Sequence, residues 1–198
     1  MKRSPDFLLF FVTLGLLGLG IVMVASSSSY ASMVNLDDPY YYLKRQVIWA
    51  LIGLAMMFFV MRLDYHVFRR YAGPFFLLTV ALLVAVLIVG VTSHGSSRWF
   101  RFGPVAFQPS ELSKLSCALL VSKIMSGRAA RANPFSGFGE AIGAAALLCG
   151  LILAQPDLGT AVVVAGIAFL ALVAAGAEIR HLTVLGVAGL VLGVAAIL

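Results

Sequence analysis

Two polar islands in an otherwise apolar sequence carry the side chains that could do chemistry. In the first, residues 92–109 read TSHGSSRWFRFGPVAFQP and lead directly into SELSK. Arg98 and Arg101 bracket Trp99 and Phe100. Guanidinium forks grip phosphate with two parallel hydrogen bonds, so this pattern fits a site for a pyrophosphate-bearing lipid. The same pattern also fits an interfacial aromatic belt whose arginines reach up to headgroups. Ser110 stands where an N-cap is expected, and Glu111 follows in the first turn, where a carboxylate suits the helix dipole. Glu111 and Lys114 are three residues apart and share a helix face. Such a pair either lines a water-filled cavity or neutralises itself as an anchor at the interface.

The second island is Gln155-Pro156-Asp157-Leu158-Gly159-Thr160. Proline breaks a helix and glycine loosens it, which leaves Asp157 where two helices meet. A carboxylate among apolar runs is costly to bury, so it reads as a functional residue. It also reads as the N-cap of the following helix, and the two readings are compatible. A third polar stretch, from Asp37 to Gln46, holds three tyrosines, Lys44 and Arg45, and reads as an interfacial anchor.

The elements that position these residues must be membrane helices. The hydrophobic fraction is 62%, the charged fraction 11% and the mean hydropathy +1.04 over 198 residues. Soluble domains run about 45–50% apolar and about 25% charged, and a soluble globule of this size could not hide so much apolar surface. The composition excludes an ordinary cytosolic enzyme, a disordered tail and a coiled coil. It predicts an all-α, polytopic membrane protein forming one domain over residues 1–198. A hydrocarbon core of about 30 Å needs about 20 helical residues. Spans are expected at 7–25, 47–61, 72–91, 112–125, 141–154, 158–176 and 182–198. The fourth and fifth are only about 14 residues, or roughly 21 Å, and flank the polar islands.

Seven spans put the loops on alternating sides. With the N-terminus in the cytoplasm, the inner segments carry Lys2, Arg3, Arg62, Arg69, Arg70, Lys123, Arg128, Arg131 and Arg180. The outer ones carry Lys44, Arg45, Arg98, Arg101 and Lys114, so the basic bias favours N-in. The net charge of +6 is accounted for by this flanking pattern, and no basic stripe interleaved with aromatics points to nucleic acid. Lys2-Arg3 before an apolar run also matches a signal peptide, but the run is long and more spans follow. Cys117 and Cys149 lie 32 residues apart in apolar runs and read as small hydrophobes. His66, His94 and His181 lack metal-ligand spacing. Walker, GxSxG, HExxH and dinucleotide fingerprints are missing from the sequence. The residues alone leave an enzyme and a transporter both open.

Taken together, several segments resemble the N-terminal part of the SEDS family (FtsW, RodA, SpoVE). They are PDFLLF with the GIVMVASSS run, DDPYYYLKRQVIWALIG, MRLDY, SSRWFRFGPVAFQPSELSKL and AQPDLGTA, and they follow in order along essentially the whole chain. PDFLLF and DDPYYYLKRQ look closer to the FtsW/SpoVE branch than to RodA. The resemblance implies a peptidoglycan glycosyltransferase that polymerises lipid II at the outer face of the bacterial cytoplasmic membrane. It implies a class B penicillin-binding protein as transpeptidase partner, other division or elongation membrane proteins, and a divalent cation (Mg or Mn). It places substrate-binding roles on Arg98, Gln108, Glu111, Lys114 and Asp157, with Arg98 and Lys114 as pyrophosphate ligands and Glu111 orienting Lys114. It also implies about ten spans against the seven expected here. The catalytic aspartate is therefore expected beyond Leu198, in a segment this chain lacks, and Asp157 is not assigned that role. A lipid-linked precursor flippase and a non-enzymatic scaffold that recruits the transpeptidase are the competing readings.

Overall fold

The computed structural model describes residues 6–36, 38, 40–93, 96–102, 105–127, 134–178, 180–183, 186 and 189. The seventh expected span lies almost wholly outside these residues, as do Lys2, Arg3, His94, Arg128 and Arg131. Among the described residues the helices are α1 (Phe7–Leu36), α2 (Tyr41–Met61), α3 (Tyr65–Val89), α4 (Pro109–Met125), α5 (Pro134–Leu153) and α6 (Leu158–Ala174). Three short strands, β1 (Val91–Ser93), β2 (Ser96–Phe102) and β3 (Val105–Phe107), lie between α3 and α4. The helical class holds, a helix lies over each of the first six expected spans, and α1, α2, α3 and α5 run past the apolar stretches that mark them. Stretches within α1, α2 and α3 are long and apolar enough to cross a membrane, and α5 and α6 contain shorter apolar helices.

The chain divides into two compact units, Met1–Asp64 and Tyr65–Leu198. In the first, Asp6 starts α1 by accepting from the backbone N–H of Leu8 at 3.0 Å and Leu9 at 3.2 Å. Phe10 and Phe58 bring α1 and α2 together, with ring centroids 5.8 Å apart. Asp38 lies just before α2 and accepts from Lys44 Nζ at 2.9 Å and from the Tyr40 N–H at 2.9 Å. The Lys44 bond, with the Tyr40 N–H second, holds the Asp38 carboxyl below its usual range.

In the second unit α3, α4, α5 and α6 pack with buried positions at helical spacing. These are Ala72, Phe76, Thr79, Leu83 and Val86 on α3, and Ser110, Ser113, Ser116, Cys117 and Val121 on α4. Ala141, Ala145, Leu148 and Ile152 on α5 and Ala161, Val164, Ala168 and Leu172 on α6 complete the core. Steps of three and four keep one face of each helix turned inward. Many of these side chains are small. Lipid is as apolar as leucine, so membrane helices associate through close packing, which Ala, Ser and Cys permit. Cys117 is buried and Cys149 half-buried, and neither is in a disulfide, in keeping with their reading as small hydrophobes.

The sheet is antiparallel in the order β1-β2-β3. The first half of β2 pairs with β1 (Val91↔Trp99, Thr92↔Ser97) and the second half with β3 (Phe100↔Phe107, Phe102↔Val105). The expected cap at Ser110 is corrected: the position before α4 is Gln108, with Pro109 as the first helical residue. Proline suits that place because its missing N–H is one the helix leaves unpaired anyway.

Two outcomes are expected from this packing. Ala168→Leu forces three extra carbons into the α6 face and lowers stability by about 1–3 kcal/mol, read as a lower Tm in detergent. Lys44→Ala removes the main cause of the lowered Asp38 pKa, so the Asp38 titration followed by carboxyl NMR moves upward. The pair's contribution is present above the ordinary aspartate range and is lost as pH falls through the lowered value.

Candidate functional site

The two polar islands meet in the second unit. β2 carries Arg98, the turn into α4 carries Gln108, and the corner between α5 and α6 carries Gln155, Pro156 and Asp157. In the turn after α5 the guanidinium of Arg98 serves two carbonyls: Nε donates to Gln155 O at 3.0 Å and Nη2 to Pro156 O at 2.6 Å. Its Nη1 lies 3.9 Å from Asp157 Oδ1. One cation thus meets two turn carbonyls and a carboxylate.

Asp157 is only 8% exposed. As N-cap of α6 its Oδ1 accepts from the Thr160 N–H at 3.2 Å, and its Oδ2 accepts from Thr160 Oγ1 at 2.8 Å. Oδ2 also accepts from Gln108 Nε2 at 3.1 Å. Gln108 Nε2 in addition donates to Ser110 Oγ at 2.8 Å, so a single amide links the start of α4 to the start of α6. Gln155 is almost fully buried, and its Nε2 donates to Leu83 O on α3 at 3.3 Å. Its Oε1 has no hydrogen-bond partner among the described residues.

Glu111 and Lys114 form a separate pair. Lys114 Nζ lies 2.7 Å from Glu111 Oε2, with the side chains 32% and 56% exposed respectively. The three-residue spacing places both on the first turns of α4, directly after Gln108. Of the five residues singled out from sequence, the structure brings Arg98, Gln108 and Asp157 into one network and leaves Glu111 and Lys114 paired with each other. The side chain of Arg101 lies outside the described residues. Two residues of the second island were not singled out as site residues: Thr160, three after Asp157, and Gln155. The Asp-x-x-Thr spacing before an apolar run is a helix-start signal that marks Thr160. Among the described residues no three His, Cys, Asp or Glu side chains gather.

The network makes Asp157 a holding residue. Asp157→Ala removes the acceptor of Gln108 and of both Thr160 donors, and lowers stability by on the order of 1–3 kcal/mol. Thr160→Val, which keeps the backbone cap, costs less. Thermal unfolding of both variants in the same detergent measures the difference.

The family profile described as "Cell cycle protein" and covering FtsW, RodA and SpoVE matches residues 7–198. Stage V sporulation protein E of Bacillus subtilis is 38% identical over 192 residues, covering 96% of this chain and 52% of that protein. A probable peptidoglycan glycosyltransferase FtsW of Geobacter metallireducens is 37% identical over 180 residues, covering 89% of this chain and 48% of that one. Two solved structures are similar. One, described as "Structural coordination of polymerization and crosslinking by a peptidoglycan synthase complex", has a TM-score of 0.72 at 32% identity, covering 96% of this chain and 53% of its own. The other, the rod shape determining protein RodA of Thermus thermophilus, has a TM-score of 0.65 at 33% identity, covering 87% and 58%. The chain spans about half the length of the curated relatives it matches. With the profile matched along nearly its whole length, over helices and polar islands in the expected order, the chain belongs to the FtsW/RodA/SpoVE family of multi-pass bacterial membrane proteins.

Proposed function

We propose that this chain supplies the lipid-pyrophosphate side of a peptidoglycan glycosyltransferase that uses lipid II at the outer face of the cytoplasmic membrane. The single observation that carries the reading is the Glu111–Lys114 pair at the start of α4, held beside Gln108 and left one-third to one-half open. The relatives named as probable peptidoglycan glycosyltransferases support the reaction class. The solved synthase complex supports a transpeptidase partner, here a class B penicillin-binding protein.

In such a polymerisation an acceptor sugar hydroxyl attacks the anomeric carbon of the donor. A new C–O bond forms as the bond to the pyrophosphate breaks, and the lipid pyrophosphate leaves with the electron pair. The hydroxyl proton passes to a general base. In this reading that base is an acid outside the present chain, because Asp157 is filled by its own donors. Lys114 is the cation open to the leaving group, where a charge-assisted hydrogen bond stabilises the developing negative charge. Glu111 orients the ammonium. Arg98 was expected to share the pyrophosphate, but two edges of its guanidinium are already given to Gln155 O and Pro156 O. Its role in this reading is to hold the β2 strand against the α5–α6 corner, so that the start of α4 keeps its place. Gln108 and Asp157 do the same from the other side.

Lys114→Ala is expected to weaken lipid II binding by about tenfold to a hundredfold, the loss of one charge-assisted bond of about 1.5–3 kcal/mol. Lys114→Arg keeps part of it. Binding is measured by surface plasmon resonance on the purified protein. The reaction is tested with the full reading frame, its transpeptidase partner and lipid II, with glycan chains resolved on a gel. Absence of polymer together with movement of lipid II across liposome bilayers would replace this reading by a flippase.

A further inference from the structure

The end of the α3–α4 pair away from the sheet holds cations that the glycosyltransferase reading does not use. α3 begins at Tyr65 and carries Arg69 and Arg70 in its first two turns; α4 runs antiparallel to it and ends with Lys123 in its last turn. The Lys123 side chain lies across α3 at Gly73: a Cβ added there would sit 3.6 Å from Lys123 Nζ. Arg70 and Arg69 precede Gly73 by three and four residues, so they share the face on which Nζ rests. Three basic positions from two helices therefore stand within about one turn of Gly73.

The ion pairs of this unit join Arg98 to Asp157, Lys114 to Glu111 and His181 to Glu178, and Arg69, Arg70 and Lys123 take part in none among the described residues. Arg70 has only the Tyr71 ring, 5.9 Å from its guanidinium carbon. Lys123 is half-buried and forms no ion pair among the described residues, unlike Lys114 at the opposite end of the same helix. Pro74, inside α3, has no N–H to give the Arg70 carbonyl, so the backbone beside Gly73 also lacks one of its usual bonds. Exposed Tyr65 and Tyr71 flank the cluster, and such rings favour headgroup depth.

We propose that Arg69, Arg70 and Lys123 form a notch at Gly73 that binds a phosphate group, supplied by the headgroup of an anionic membrane lipid. The notch is independent of the glycosyltransferase reading and lies at the other end of the helices from Arg98 and Lys114. Guanidinium groups give it directional donors, and Lys123 gives it a point charge fixed against the backbone. Anionic headgroups are the abundant phosphates at that depth, and each basic residue near such a surface adds to the attraction.

The test uses the purified full chain in phosphatidylcholine nanodiscs containing a minor fraction of phosphatidylglycerol, with bound lipid read by native mass spectrometry. Phosphatidylglycerol is expected to be retained over phosphatidylcholine. An Arg69→Gln/Lys123→Gln double variant should weaken that retention by about tenfold or more. A charge-matched Lys44→Gln/Arg45→Gln variant should leave it within about twofold. Gly73→Leu, which keeps every charge but fills the place where Nζ rests, should also lower retention. Excess inorganic phosphate separates the sources: a lipid site keeps its phosphatidylglycerol, whereas displacement would assign the notch to free phosphate and overturn the lipid assignment. Equal loss in the two double variants, or equal retention of both lipids by the unaltered chain, would overturn the notch itself.

Discussion

The carboxylate of Asp157 must be satisfied without water, and that requirement organises the second unit. A charged group nearly out of solvent and among apolar helices is costly unless donors surround it. Its partners come from three separate segments: Thr160 of α6 and Gln108 before α4 donate hydrogen bonds, and Arg98 of β2 faces it as an ion pair. None of the three is near another in the way a single turn would arrange them. Satisfying one carboxylate therefore fixes a strand, the start of one helix and the start of a second with respect to each other. Arg98 adds the end of α5 to the set through the Gln155 and Pro156 carbonyls.

This arrangement separates two kinds of cation that look alike in sequence. Arg98, on β2, and Lys114, in the second turn of α4, are both basic residues of the first polar island and its continuation. The guanidinium is planar and has donors on several edges, so it can serve two carbonyls and face a carboxylate at once. An ammonium on a flexible stem cannot hold such a corner. Lys114 instead meets one acid on its own helix and stays partly open. The chemistry of the two head groups, more than their positions, separates a clasp across a corner from a pair within one helix.

Much of this was legible in advance. The six described helices follow the apolar stretches, because only closed backbone hydrogen bonding is tolerated in lipid. Asp157 as a cap and Glu111 beside Lys114 followed from spacing alone. The sheet was not foreseen: residues 92–109 were read only as a polar loop. Its signal was present in SSRWFRF and VAF, runs of aromatic and β-branched residues separated by Gly-Pro, but three short strands are weak against the surrounding polarity. The cap at Ser110 was misplaced by two positions because the proline before it already fits the first helical turn. The clasp between Arg98 and the α5–α6 corner joins residues 57 and 58 apart, and no local pattern encodes such a contact.

The charges at the two ends of these helices carry a further consequence. At the sheet end, Arg98 and Lys114 stand against Asp157 and Glu111, so the four cancel. A cancelled set gives position and direction but little net attraction for a free anion. At the other end Arg69, Arg70 and Lys123 form no ion pair among the described residues. Uncancelled charge near a membrane surface draws anions over roughly a Debye length, about 8–10 Å at ordinary salt, and does so with little regard to shape. A paired and oriented cation acts only on a group that arrives in the right place. The same helix, α4, thus carries a paired ammonium near its start, at Lys114, and near its end, at Lys123, one that joins no ion pair among the described residues.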